Sequence, residues 1–318
     1  MLAVLAAGAL SVAVGSAAIP PARVLASLAG QGDPVERAII VELRLPRALL
    51  GLLVGAMLGL AGAALQGYLR NPLAEPSVLG ASNAAALGAV IAFYFGLAEL
   101  SPVALPVLAI LGAFASLALL FVLAGRSESP LTLVLAGVAV ATLAGAGISL
   151  ALNLSANPFA AMEITTWLLG SLEDRAFGHV LLALPAVAIG AMLVGWNGRA
   201  LDALTLGEDG AAALGVDLRR MRARLLLGVA IGVGGAVAVS GAIGFVGLIV
   251  PHLVRPLTDR SPSAVLWPSA LAGAALLSFA DVAVRVIPTT NELKLGVVTA
   301  FLGVPVFLIH LMRERRLW

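Results

Sequence analysis

The sequence predicts an all-α, polytopic membrane protein of about ten transmembrane helices, in one domain over residues 1–318. Three observations predict it. The chain is 61% hydrophobic and only 11% charged, with a mean hydropathy of +1.06; a soluble chain of this length keeps far more polar surface for water. The apolar residues fall in runs near the 20 or so that a bilayer demands. The arginines gather at the ends of those runs, as membrane orientation requires.

Residues 2–19 read as the first span, since they lack the basic leader of a signal peptide. Pro20-Pro21 closes it. Residues 23–47 read as a polar connection holding Gln31, Asp33, Glu36, Arg37 and Glu42. A second span covers 46–68, with Pro46 in its first turn, where a missing N–H is harmless. Gly51, Gly55 and Gly59 recur every fourth residue there and predict a face for close helix contact. Further spans are expected over 81–97, 103–123, 131–152 and 178–196. A short turn, GRSESP, fills 125–130. A semi-polar connection, 153–177, carries Trp167 and the charged patch Glu173-Asp174-Arg175.

The run 225–250 is uncharged and 26 residues long, too long for one span and too short for two. Basic residues flank both its ends, so the chain is expected to turn back near Ser240-Gly241. The return leg, 242–253, is then a partial span shielded by protein. Spans over 265–286 and 295–312 follow, with a charged tail, Arg313-Glu314-Arg315-Arg316. Arg70, Arg126, Arg199, Arg219, Arg220, Arg222, Arg224, Arg255, Arg260 and the tail arginines fall on one side, 12 cations against seven on the other. The positive-inside rule makes that side cytoplasmic and puts both termini there.

Composition excludes several kinds of chemistry. With no cysteine, disulfides and thiolate metal sites are out. The one lysine, Lys294, is not part of a G-x-x-x-x-G-K-[ST] phosphate loop, so any ATP is bound by another chain. A net charge of +2 gives no nucleic-acid signal. His179, His252 and His310 are far apart, and metal or acid–base work needs convergent partners. No metal site, catalytic residue or bound cofactor is expected.

The polar segment 207–224, GEDGAAALGVDLRRMRAR, stands between apolar runs. Acids lead it (Glu208, Asp209), Asp217 follows, and four arginines close it. Gly210 and Gly215 punctuate two short helical pieces. A polar helix–turn–helix at a membrane face suits the grip of an energy-supplying subunit. On the other side, Arg44 and Arg47 flank Leu45-Pro46; they either snorkel to the interface or offer bidentate guanidinium groups to carboxylates of an external protein. Asp281 and Arg285 are spaced i, i+4 on one helix face. They read as a local ion pair or as a docking charge at Arg285.

Several motifs resemble the FecCD-type permeases, the membrane subunits of ABC importers for iron-siderophores, haem and vitamin B12. They are Arg44-Leu45-Pro46-Arg47, Gly62, Gln66, Asn71-Pro72-Leu73-Ala74-Glu75-Pro76, Leu79-Gly80, Leu135-Ala136-Gly137-Val138 and Trp167 with Gly170. The segments 207–215, 241–255 (GAIGFVGLIVPHLVR) and 280–285 continue the match, and Glu292-Leu293, Gly296, Thr299-Ala300 and Gly303-Val304-Pro305 end it. The resemblance implies a type II ABC importer permease working as a homodimer in the bacterial inner membrane. Two separate ATPase subunits, carrying ATP and Mg, bind below; a periplasmic binding protein delivers an iron-siderophore, haem or vitamin B12 from above. It implies coupling helices over about 207–220, with Gly207, Glu208, Asp209, Ala212, Leu214, Gly215, Val216, Arg219 and Arg220 facing the ATPase. It implies that Arg44, Arg47 and Arg285 receive glutamates of the binding protein. Gln66, Asn71 and Asn83 are candidate pathway residues, equally readable as interhelical hydrogen-bond partners. Segment 125–131 is a candidate inner gate.

Two departures stand out. Lys294 replaces the family's usual proline after Glu-Leu, and Asp259-Arg260 lacks the usual intervening histidine. The rival reading is an ion- or proton-coupled carrier, which predicts buried acids or broken helices at mid-membrane. A membrane-embedded enzyme would need a clustered His/Asp/Glu site.

Overall fold

Helices follow the apolar runs, and what ends each one is visible in the residues. The computed structural model describes residues 1–15, 17–124, 130–155, 157–289 and 292–314. The 125–129 part of the expected inner gate, with Arg126, lies outside them, as do Arg315 and Arg316 of the tail. The first run forms α1 (Leu2–Ala13), followed by α2 (Pro21–Leu28) and α3 (Pro34–Ala38). Asp33 caps α3, accepting from the Val35 N–H at 2.7 Å. A π-helical stretch, Ile39–Arg44, leads into α4 (Leu45–Leu69). Then come α5 (Ala81–Tyr94), the short α6 (Leu97–Leu100), α7 (Ala104–Ala124), α8 (Pro130–Leu154) and α9 (Pro158–Leu168). The second half holds α10 (Phe177–Gly195), α11 (Gly198–Leu204), α12 (Glu208–Ala213), α13 (Leu218–Ser240), α14 (Val246–Val254), α15 (Pro262–Val286) and α16 (Leu295–Glu314).

Six helical segments are long and apolar enough to cross a membrane: Pro34–Leu69, Ala104–Leu123, Leu131–Leu154, Phe177–Gly195, Leu218–Ser240 and Pro262–Val286. Four shorter apolar helices, Leu2–Ala13, Ala81–Tyr94, Val246–Leu257 and Leu295–Val306, complete the set among the described residues. The reversal after α13 falls where the sequence placed it. Gly241 takes φ +70°, and a Cβ there would lie 2.3 Å from the Trp167 carbonyl oxygen. The partial helix α14 then follows Phe245, its N-cap, whose N–H donates to Glu75 at 3.2 Å.

Four expectations need correction. The first span ends at Ala13 rather than residue 19, because two arginines take up its terminal carbonyls, as described below. The second span does not begin at Pro46: residues 34–69 form one helical rod. Proline removes a donor and crowds the preceding turn. The π stretch absorbs this by letting Leu45 N–H bond to Ile40, five residues back. The connection 153–177 contains α9, opened by Asn157, whose Oδ1 accepts from Phe159 N–H at 3.0 Å. The breaks around the polar segment fall at Gly207 (φ +91°) and Gly215 (φ +83°), while Gly210 lies inside α12. The second helical piece expected there is the first turns of α13, capped by Asp217 on Arg220 N–H at 2.9 Å.

The core forms around α4, α13 and α15. The glycine face of α4 is buried against α15: a Cβ on Gly55 would lie 2.3 Å from the Gly273 carbonyl oxygen, and one on Gly59 2.2 Å from that of Ser269. Large apolar side chains of α7, α8 and α10 face outward, among them Leu111, Leu135, Leu143, Leu150, Leu181 and Met192, as suits contact with lipid or another apolar surface.

Candidate functional site

At one end of the bundle, charges from five segments converge. Asp281 on α15 is 1% exposed and lies between two guanidinium groups. Arg47 of α4 donates to it from Nε at 2.9 Å and Nη2 at 2.8 Å. Arg285, one turn on, reaches it at 3.1 Å. Arg47 Nη1 also donates to Glu292 at 3.1 Å. Lys294 Nζ donates to Glu173 at 2.7 Å, tying the loop before α16 to the loop before α10. A cavity of about 340 Å³ opens on this network, with Arg44, Arg47, Arg175 and Arg285 in its wall.

The arginines singled out in the sequence therefore do meet, but their guanidinium groups are already engaged. Arg44 does not snorkel; it is 5% exposed and donates to the carbonyls of Val12 (3.2 Å), Ala13 (2.8 Å) and Ala17. Arg285 donates to the carbonyls of Ser11 and Val14, both at 2.8 Å. The last carbonyls of a helix have no partner within it, so these two side chains close α1 and fix its end to α4 and α15. Gly15 leaves the room: a Cβ there would sit 2.9 Å from the Arg44 guanidinium. Sequence reasoning missed this closure and the Lys294–Glu173 bridge, although the solitary lysine was a signal.

The opposite end carries the polar segment. α11, α12 and the start of α13 form a unit with its backbone hydrogen bonds made internally: Gly207 to Leu204, Ala211 to Gly207, Gly215 to Ala212 and Val216 to Ala211, at 2.9–3.0 Å. Ala211 and Met221 are buried beneath it. Asp202 of α11 accepts from the Ser263 N–H of α15 at 2.8 Å, so the unit is fastened to the core. Leu206 (69% exposed) and Leu214 (65% exposed) flank α12, with Asp209 and Ala212 exposed between them. Glu208 and Val216 are half-buried, and Arg219 and Arg220 are exposed. Arg222 donates to the Tyr68 hydroxyl at 2.7 Å, and Arg224 lies 6.0 Å from the Trp196 ring centre. Asp259 accepts from Ser261 N–H (2.9 Å) and Oγ (2.8 Å), which holds its carboxyl below the usual range.

Across residues 3–313 the sequence matches the FecCD transport family. The chain belongs to that family. Among FecCD relatives, the vitamin B12 import system permease of Vibrio cholerae is 44% identical over 282 residues, 88% of this chain and 84% of that one. The Fe(3+) dicitrate transport system permease of Escherichia coli is 41% identical over 87% of this chain and 86% of its own. A metal-chelate type ABC transporter, solved in an inward-facing conformation, superposes with a TM-score of 0.87 at 32% identity, covering 98% of this chain and 97% of that one. This FecCD protein is a multi-pass membrane transport permease with the ABC permease fold.

The structure places its three candidate pathway residues in different settings. Gln66 is buried and donates from Nε2 to the Gly247 (3.3 Å) and Leu248 (3.2 Å) carbonyls, while its Oε1 accepts from Arg255 at 3.2 Å. It fastens α4 to α14. Asn71 accepts from Leu73 N–H at 2.9 Å and shapes the turn after α4. Asn83 is half-buried on α5. Replacing Gln66 by leucine takes a partner from Arg255 and from the Gly247 carbonyl, while the Leu248 carbonyl keeps His252 Nδ1 at 2.9 Å. It should cost about 1–3 kcal/mol, read as a lower thermal midpoint in lipid nanodiscs.

Proposed function

We propose that this FecCD protein is the membrane-spanning subunit of an ATP-driven importer that carries a metal chelate through the bacterial inner membrane by alternating access. The pathway lies between two copies of the chain, which meet through apolar surface such as that of α8. The arginine-rich end, with both termini, faces the cytoplasm; the cavity end faces a periplasmic binding protein. ATP and Mg belong to two separate ATPase subunits, and this chain holds no cofactor. An iron-siderophore is the favoured cargo, with vitamin B12 and haem as the alternatives. The named relatives and the metal-chelate type structural neighbour support this class of cargo.

The observation that carries the reading is the α11–α12 unit. It is internally hydrogen-bonded, fixed to α15, and presents two exposed leucines at the end of a membrane protein. Apolar side chains on a rigid polar loop fit a pocket on a soluble partner. Pushing on the unit moves α11, and with it α13 and α15. An ion-coupled carrier is favoured less, because buried Asp281 is matched by Arg47 and Arg285 and sits near the end of α15.

The test is Leu214→Asp. The side chain is mostly exposed, so the variant should fold like the wild type. An ATPase subunit co-purifying with the wild type from native membranes in mild detergent should be lost from the variant. If the variant retains the ATPase in full, 207–220 is not the coupling element.

A further inference from the structure

Among the described residues, one cation at the cavity end is left unmatched. Arg47 has Asp281 and Glu292, Arg285 has Asp281 and the end of α1, Arg44 has the carbonyls of α1, and Lys294 has Glu173. Arg175, in the loop before α10, has no such partner among the described residues. Its Nε is shut off from solvent and makes no hydrogen bond. Burial pushes the guanidinium below its ordinary value, and the nearby charges of Asp174 and Glu173 oppose this only in part. Asp174 is exposed with φ +55°, and Glu173 is engaged by Lys294. Arg175 is half-buried, and a guanidinium Nε held away from water without a hydrogen bond is costly to keep unless a ligand completes it.

Arg175 also stands between two cavities. One is the 340 Å³ cavity it shares with Arg44, Arg47 and Arg285. The other, about 580 Å³, has Arg175 and His179 at its polar part beside the acids Glu163, Glu173 and Asp174, and aromatic walls that include Phe93 and Trp167. Phe93 and Trp167 meet edge to face, 6.0 Å between ring centres. His179 Nδ1 accepts from the Ala176 N–H at 3.2 Å, which fixes the ring beside the cavity.

We propose that Arg175 is a carboxylate-binding site, taking in its planar fork a carboxylate carried on an apolar or aromatic body that fills the adjoining cavity. Arginine matches a carboxylate with two parallel hydrogen bonds, and the aromatic walls supply the apolar part of the contact. The carboxylate belongs either to a small molecule or to an acidic side chain of a partner protein. The site stands on its own geometry, independently of the import reading.

The experiment is phenylglyoxal labelling of the wild-type protein in lipid nanodiscs, followed residue by residue by mass spectrometry. Arg175 should react at least tenfold faster than Arg44 and Arg285, whose N–H groups are engaged. Benzoate or a triglutamate peptide should slow that reaction relative to chloride at equal ionic strength. Protection by benzoate assigns the site to a small carboxylate, and protection by triglutamate alone assigns it to a protein side chain. If Arg175 reacts no faster than Arg285, or if neither carboxylate protects it, the proposal is overturned. As a second measurement, Arg175→Met should leave the ligand-free thermal midpoint unchanged or raise it, since it removes an unmatched charge. A fall as large as that of Arg47→Ala would show a structural role instead and overturn the proposal.

Discussion

Gly59→Leu should abolish the folded protein. A Cβ at this position would lie 2.2 Å from the carbonyl oxygen of Ser269 and 3.3 Å from the Cα of Gly273. Both are backbone atoms of α15, so no rotamer change relieves the clash. Overpacking that side chains can absorb costs about 1–3 kcal/mol. Here α4 and α15 must part along the contact that organises the bundle, and the loss should reach or exceed the upper end of that range. Even Gly59→Ala should lower the thermal midpoint by several degrees. Gly145→Ala on α8 is the control: a Cβ there meets nothing within 4 Å, and alanine is the better helix former by about 1 kcal/mol. Fluorescence-detected size-exclusion chromatography from membranes checks all three. A monodisperse peak for Gly59→Leu at wild-type yield would contradict the packing described.

Arg47→Ala should be the most damaging of the charge substitutions. It leaves Asp281, almost wholly buried, with Arg285 alone and removes the hydrogen bonds to Glu292. Breaking one side of a buried ion pair costs about 3–5 kcal/mol, because the remaining charge stays behind without compensation. The sign of the double variant is the sharper test. Arg47→Ala with Asp281→Ala removes both buried charges, and should be less destabilised than the sum of the single changes, by about 0.5–3 kcal/mol. Urea or thermal unfolding in nanodiscs gives the cycle. Additive effects would show that the two side chains do not act on each other.

Much of the fold was legible because local pattern reports local structure. The apolar runs gave the spans, the fourfold glycine spacing gave the α4 contact face, and the i, i+4 spacing of Asp281 and Arg285 gave their ion pair. The turn at Ser240-Gly241 followed from a run too long for one crossing. The π stretch at Ile39–Arg44 was not legible, since Pro46 reads as a helix start unless the preceding turn is known to be widened. α9 had a signal in Asn157-Pro158, an N-cap followed by proline at the first helical position, but its polar flanks read as loop. The cavity end was legible only in part. Arg47 meets Asp281 across 234 residues, and Lys294 meets Glu173 across 121. One sequence carries no mark of such distant pairing. For the same reason, the closure of α1 by Arg44 and Arg285 could not be read, although both arginines drew notice as charges at span ends.

The most direct test of the account is uptake by proteoliposomes holding the permease with its co-purified ATPase. A ferric siderophore, vitamin B12 and hemin would be offered outside with the cavity end outward and ATP within. The account predicts ATP-dependent accumulation of one of these chelates and its loss in Leu214→Asp. Accumulation driven by an ion gradient without ATP, or unaltered ATP-driven uptake by Leu214→Asp, would contradict it.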